Sequence, residues 1–182
     1  MNTETFSKTR LGRVFIKVLA KAMESKFRYR FYHPNKILKG VQDIYGLNAL
    51  EIGCGTGFFT IPIAKLIGDK GSLTSIDILQ ESVDLVSKKV EDAKLKNVDI
   101  LKRDVTNTEF PSNTFDIVIL FGIIPAPMLS LAQVLSEIYR ILKPQGILSI
   151  WPSIPGLRKS IQKSGLFLIN HKKASVLNFS KK

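Results

Sequence analysis

The sequence predicts an α/β protein: a doubly wound sheet, parallel through its centre, with an antiparallel hairpin strand at its end. Three observations carry this. Between residues 49 and 151, short aliphatic runs alternate with segments of helical periodicity. Phe115–Phe121 is apolar nearly throughout, as a strand covered on both faces should be. Ala49-Leu50-Glu51-Ile52-Gly53-Cys54-Gly55-Thr56-Gly57 runs from an apolar strand through closely spaced glycines into a new apolar segment, the pattern of a strand, a tight turn and a helix start.

The elements follow in order. Ala49–Ile52 is the first strand and Phe58–Ile67 its helix; Leu73–Ile76 is the second strand, ending at Asp77. The next helix, from about Glu81 to Ala93, sets Val83, Val86 and Val90 against Lys88, Lys89 and Glu91. Val98–Leu101 is strand three and Phe115–Phe121 strand four. A helix over Leu129–Leu142 is stopped by Lys143-Pro144-Gln145-Gly146, and Ile147–Trp151 is strand five. The tail reads as a short helix, Leu157–Ser164, then strands at Leu166–Ile169 and Ser175–Phe179 joined by a basic loop. Ahead of the sheet, Leu11, Val14, Phe15, Val18, Leu19, Ala22 and Met23 share one helical face opposite Arg10, Arg13, Lys17 and Lys21. We divide the chain into residues 1–30, a basic amphipathic helix or lid, and 31–182, the α/β domain.

Composition narrows the class. A chain of 182 residues with 45% hydrophobic and 23% charged residues has the size and make-up of one globular domain. Cys54 is its only cysteine, which excludes an internal disulfide and a thiolate metal site and favours a reducing, cytoplasmic setting. In the glycine turn Cys54 reads as a small apolar filler and not as a nucleophile. Ile117–Ser136 is uncharged, but Pro125 and Pro127 divide it into a strand and an amphipathic helix, so no membrane span is expected. Lys17 and Lys21 interrupt the early apolar stretch and exclude a secretory signal.

The net charge of +12 sits at the ends. Residues 1–30 carry eight Lys/Arg against two acids, and residues 155–182 carry seven against none. Such asymmetry fits an anionic partner, a membrane surface or RNA, and fits solubilising tails equally. The N-terminal pattern divides the same way, between an interfacial or partner-binding helix and one packed on its own domain.

The glycine turn poses the functional question. A dinucleotide fingerprint, G-x-G-x-x-G, would need a third glycine where Phe58 stands, and the Gly-Lys-Ser/Thr of a phosphate-binding loop is missing. What remains, Glu51-x-Gly53-x-Gly55-x-Gly57, resembles motif I of the class I S-adenosylmethionine (SAM)-dependent methyltransferases, whose fold is Rossmann-like. Asn113-Thr114-Phe115-Asp116-Ile117-Val118 and Leu142-Lys143-Pro144-Gln145-Gly146-Ile147-Leu148 resemble that family's approaches to strands four and five, with Gln145 where a glycine is usual. The likeness spans about residues 34–180 and leans to the small-molecule group that includes quinone-biosynthesis enzymes.

The resemblance implies SAM as cofactor and assigns residues to it. Glu51, Gly53, Cys54, Gly55, Thr56 and Gly57 would form the turn, with main-chain N–H groups toward the methionine carboxylate. Asp77 would hold the ribose hydroxyls and Ile78 the adenine face. Asp104, with Val105 beside it, would accept from the adenine amino group. Either Asp alone could equally be a turn or helix cap. Phe121 and Gly122, with the residues after them, would line the methyl end. No metal is expected. His33 is the candidate base or orienting group, or else a cap for the helix after it; His171 reads as structural or solvated.

These expectations add up to a SAM-dependent methyltransferase acting by in-line displacement on a small, apolar or membrane-associated acceptor. The segment after strand four lacks the Asp/Asn-Pro-Pro-aromatic motif of amino-methylating enzymes. An RNA methyltransferase and a catalytically silent SAM-binding protein are the alternatives. Oligomeric state is not legible.

Overall fold

The computed structural model describes residues 33–122 and 130–182. The helix expected within residues 1–30, and residues 123–129 after Gly122, lie outside the described residues. Seven strands form one sheet: β1 Asn48–Ile52, β2 Ser72–Asp77, β3 Val98–Lys102, β4 Phe115–Phe121, β5 Leu142–Trp151, β6 Phe167–Lys173 and β7 Val176–Lys181. Among the described residues five helices accompany them: α1 Pro34–Leu38, α2 Thr60–Ile67, α3 Gln80–Asp92, α4 Leu131–Ile141 and α5 Leu157–Lys163. The strand order is β3-β2-β1-β4-β5-β7-β6. β1 to β5 are parallel, while β7 is antiparallel to both β5 and β6. The expected architecture is therefore the observed one, terminal hairpin included.

Strand alternation sorts the core into two layers. On one face Ala49, Ile117, Ile119, Phe121 and Ile147 pack with Ile37 and Leu38 of α1 and with Phe59, Ile63 and Ile67 of the α2 region. On the other, Leu50, Ile52, Val118, Leu120, Leu148 and Ile150 pack with Val134, Leu135, Ile138 and Ile141 of α4 and with Leu157 and Ile161 of α5. α3 turns Val86 and Val90 inward against Cys54. Both faces of β4 are thus covered, which is why its sequence is apolar without alternation. Its one acid, Asp116, ties the amino edge together: it accepts from the Asn48 N–H at 2.9 Å and from Lys143 Nζ at 2.8 Å.

Glu137 is the buried acid of the α4 layer. Its Oε1 accepts from the N–H and hydroxyl of Thr108 at 2.9 and 2.6 Å, and Arg140 clasps both oxygens through Nε and a terminal nitrogen at 2.8 and 2.7 Å. The Arg140 hydrogen bonds hold the Glu137 carboxyl down, at about 2.

Two boundaries depart from expectation. β5 begins at Leu142, directly after α4, because Lys143–Gly146 bulge out of a longer strand between the Phe115–Leu142 and Ile117–Ile147 pairs. The loop between the last two strands shrinks to Ala174-Ser175, both at positive φ (48° and 62°), closing Lys173 against Val176. Within the β5 bulge Gln145 takes φ 63°, where a side chain is strained by about 1 kcal/mol. Gln145→Gly should therefore raise stability by about 0.5–1 kcal/mol in urea unfolding, with cofactor affinity unchanged.

Candidate cofactor site

The order of the sheet reverses between β1 and β4, and open α/β sheets bind ligands at the carboxyl ends of the strands flanking such a switch point. Glu51–Gly57 and Phe121–Gly122 lie at those two ends. Gly53, Gly55 and Gly57 take φ of 75°, 52° and 80°, and Gly122 takes 78°. These are conformations that suit glycine, and at Gly122 a Cβ would meet nothing within 4 Å among the described residues.

The loop is held from beneath. Gly53 and Cys54 both donate to the Ile76 carbonyl, at 2.7 and 3.1 Å, and Gly57 donates to Cys54 at 2.8 Å. Gly55 donates to Asp77 Oδ2 at 2.9 Å. These four N–H groups are therefore spent inside the turn, a departure from the expectation that they face the ligand carboxylate. Lys89 of α3 closes the far side, donating to the Thr56 carbonyl at 2.9 Å.

Asp77 is the hinge between two loops. Its Oδ2 takes Gly55, and its Oδ1 takes the Leu79 N–H at 3.0 Å. Each oxygen keeps a second lone pair, so the carboxylate can brace the turn and still accept two hydroxyls. Burial pushes its pKa up, opposed by the N–H groups of Leu79, Gly55 and Ile78. Ile78 beside it is half-buried.

Glu51 lies under the turn. It is 2% exposed, and its Oε2 accepts from Thr60 Oγ1 at 2.6 Å and from Ser75 Oγ at 2.7 Å. Ser75 is its register partner on β2, and Thr60 opens α2, so this acid locks the first helical turn to the sheet. Burial raises its pKa to about 7, against the two hydroxyl hydrogen bonds. The same burial, with Asp77 and Glu51 nearby, drives the Cys54 thiol far above its usual range and removes it as a nucleophile.

A pH dependence follows from Glu51. Its folded pKa, about 7, lies above the unfolded 4.5. Between those values the folded protein keeps a proton that the unfolded chain has released, so the contribution of Glu51 to stability is full below pH 4.5 and is lost as pH rises to about 7. The span corresponds to about 3 kcal/mol. Glu51→Gln retains an acceptor for both hydroxyls and should flatten this limb of the stability–pH curve measured by urea unfolding.

The remaining candidates are placed as follows. Asp104 is exposed after β3; its Oδ1 accepts from the N–H and hydroxyl of Thr106 at 2.8 and 2.7 Å, so the turn is closed through one oxygen and Oδ2 takes no part in it. Val105 points into the α4-side core. The Phe121 side chain is buried 5.1 Å from the Phe59 ring, so Phe121 offers a ligand only main chain. His33 precedes α1 and is exposed; its carbonyl accepts from Lys36 at 2.9 Å, but its side chain makes no capping bond. His171 meets Asn178 Nδ2 at 3.2 Å in the terminal hairpin, in keeping with a structural role.

The structure adds a feature the sequence reading passed over. Phe59, Phe121 and Trp151 meet edge to face across the ends of β4 and β5, with ring centres 5.1 Å (Phe59–Phe121) and 5.7 Å (Phe59–Trp151) apart. The signal was present: Phe121 and Trp151 are register partners, each the last residue of its strand.

The donor set and the glycine main chain fit SAM: a carboxylate with spare acceptor capacity at the end of β2, another after β3, and Cβ-free backbone on both sides of the switch point. Among the described residues no group of His, Cys, Asp and Glu could hold a metal.

Comparison with known proteins agrees. The methyltransferase domain profile matches residues 49–146. The demethylmenaquinone methyltransferase of Listeria welshimeri is 36% identical over 119 residues, covering 63% of this chain and 50% of that protein. The enzyme of the same name from Lactobacillus johnsonii is 35% identical over 129 residues, covering 70% of this chain and 50% of that protein. The chain thus spans about half the length of these curated relatives. A SAM-dependent methyltransferase from Aquifex aeolicus shares the fold, with a TM-score of 0.76 at 22% identity, covering 90% of this chain and 96% of that one. With the site geometry, these findings place the chain in the methyltransferase domain family, as a class I SAM-dependent methyltransferase domain.

Proposed function

We propose that this domain transfers a methyl group from SAM to a small apolar acceptor, of the kind exemplified by a quinone ring. The observation that carries the acceptor class is an aromatic wall at the ends of β4 and β5, beside Gly122, in which the half-buried Trp151 is the ring within a ligand's reach and the buried Phe59 and Phe121 only back it. The first part of the reading is supported by family membership, the second by this wall and by the names of the curated relatives.

SAM supplies a methyl group already activated by the sulfonium charge, so the protein needs mainly to align and to dehydrate. Asp77 accepts the ribose hydroxyls with its spare lone pairs while holding Gly55 in place. Asp104 Oδ2 accepts from the adenine amino group, and Ile78 covers the ring. Gly122 lets the ligand approach main chain that a Cβ would shield, while Gly53, Gly55 and Gly57 supply the positive φ values that shape the turn. The wall excludes water and orients the acceptor on the methyl axis, an effect worth up to ~7–11 kcal/mol in well-aligned systems. His33 is the side chain we assign to orienting the acceptor, since its imidazole is not used as a cap.

The test is incubation with methyl-labelled SAM and fractionated cell extract, followed by defined demethylated quinones. Label in an apolar small-molecule fraction is the expected result. Label in RNA, or SAM binding with no label transferred anywhere, would reject the proposed acceptor.

A further inference from the structure

We infer that the acceptor-side rim of this domain docks on an anionic lipid bilayer through a lysine-rich face, an inference that rests on the acceptor being apolar enough to reside in lipid. The face is assembled by topology from three separated segments. β7 starts beside the end of β5, with Ile150 against Leu177, so the β6–β7 turn lies at the carboxyl edge of the sheet, the edge that holds the glycine turn. Ser153 after β5 donates to the Ser175 carbonyl in that turn, at 3.1 Å. Gly40 after α1 packs so closely that a Cβ there would lie 2.2 Å from the Lys173 carbonyl.

These contacts gather Lys36 and Lys39 of the α1 region, Arg158 and Lys159 in the first turn of α5, and Lys172 and Lys173 of β6. All six are exposed. Residues 33–42 and 152–182 contain no Asp or Glu, and among the described residues none of the six has a carboxylate partner. Unpaired charge of one sign at a single edge is a field directed outward and not a set of local ion pairs.

The chemistry favours phosphate headgroups in a plane. Five of the six are lysines, strongly hydrated point charges suited to diffuse attraction; the forked guanidinium that reads nucleic-acid groups occurs once. The exposed loop residues between them include Pro155, Gly156, Ala174 and Ser175, and among the described residues of this face no Phe, Tyr or Trp is exposed; the rings it does present are the imidazoles of His33 and His171. Pro155-Gly156 forms a tight turn, closed by the Leu157 N–H on the Ile154 carbonyl at 3.3 Å with Gly156 at φ 82°. That small apolar tip brings the flanking charges to a surface. Docked this way, the half-buried Trp151 at the end of β5 lies on the lipid side, from which an apolar acceptor would arrive.

The test compares two charge reversals of equal size in the full chain. Lys172→Glu/Lys173→Glu alters the face; Lys65→Glu/Lys70→Glu alters exposed lysines near the amino edge of the sheet. Co-sedimentation with phosphatidylglycerol–phosphatidylcholine vesicles should weaken about 30-fold for the first pair and less than about threefold for the second. Pure phosphatidylcholine should bind neither, and SAM affinity by calorimetry should be unchanged in both. Equal weakening by the two pairs, binding independent of anionic lipid, or loss of bulk-RNA binding with vesicle binding intact would each overturn the inference. Vesicle binding is measured without an acceptor, so its failure is separable from failure of methyl transfer to a detergent-dispersed quinone.

Discussion

Asp77→Ala should raise the dissociation constant for SAM by at least about 100-fold in titration calorimetry. Two losses combine. In the proposed site the carboxylate accepts from the ribose hydroxyls, and hydrogen bonds to a charged group contribute about 1.5–3 kcal/mol each, with 1.4 kcal/mol per tenfold of affinity. It also holds Gly55 and the Leu79 N–H, at 2.9 and 3.0 Å, so its removal frees the glycine turn from the β2–α3 loop. Asp77→Asn separates the two. Its single carbonyl oxygen can keep one of the backbone N–H groups, so the turn is partly restrained while ribose recognition is weakened, and an effect near tenfold is expected. Unchanged affinity in the alanine variant would remove Asp77 from the site. A similar loss in both variants would place the effect in ribose recognition and not in the bracing of the loop.

That double role explains what could and could not be read from the residues. The position of Asp77 was legible because an acid at the end of the second strand accompanies the glycine turn, although on its own it reads equally as a turn or helix cap. The strands were legible because β1 and β4 lie between covered faces and carry unbroken aliphatic runs. The direction of the glycine N–H groups was not. Donation from Gly53 and Cys54 to Ile76, and from Gly55 to Asp77, depends on how β1 and β2 pair, which no local pattern states. The role of Glu51 was hidden for the same reason. It needed the register that sets Ser75 opposite and the helix start that brings Thr60 over it. At the terminal hairpin the turn residues are Ala174 and Ser175, in the left-handed conformations usually filled by Asn and Gly, so the sequence carried no tight-turn signal and read as a loop.

Asn178→Ala should cost about 3–4 kcal/mol of folding stability, and Asn178→Asp at least as much. Asn178 lies on β7, fully buried, yet its amide reaches three separate parts of the chain. Oδ1 accepts from Ser149 Oγ on β5 at 2.6 Å; Nδ2 donates to the Gly40 carbonyl after α1 at 2.8 Å and approaches His171 Nε2 on β6 at 3.2 Å. An amide NH₂ only donates, so in that contact His171 Nε2 would be the accepting atom. Truncation leaves a buried hydroxyl and a buried carbonyl unpaired, each worth about 1–3 kcal/mol, and opens a cavity beside them. The aspartate variant keeps the volume but replaces two donations by a buried negative charge facing a carbonyl. Urea unfolding of both variants checks the magnitudes, and hydrogen exchange at Gly40 and Val41 checks the geometry, because faster exchange there would show α1 detaching with the loss of one β7 side chain. A loss below about 1 kcal/mol in both would mean that the hairpin is held by Leu177 and Phe179 packing alone, and that the α1 segment, with its share of the basic rim, docks independently of it.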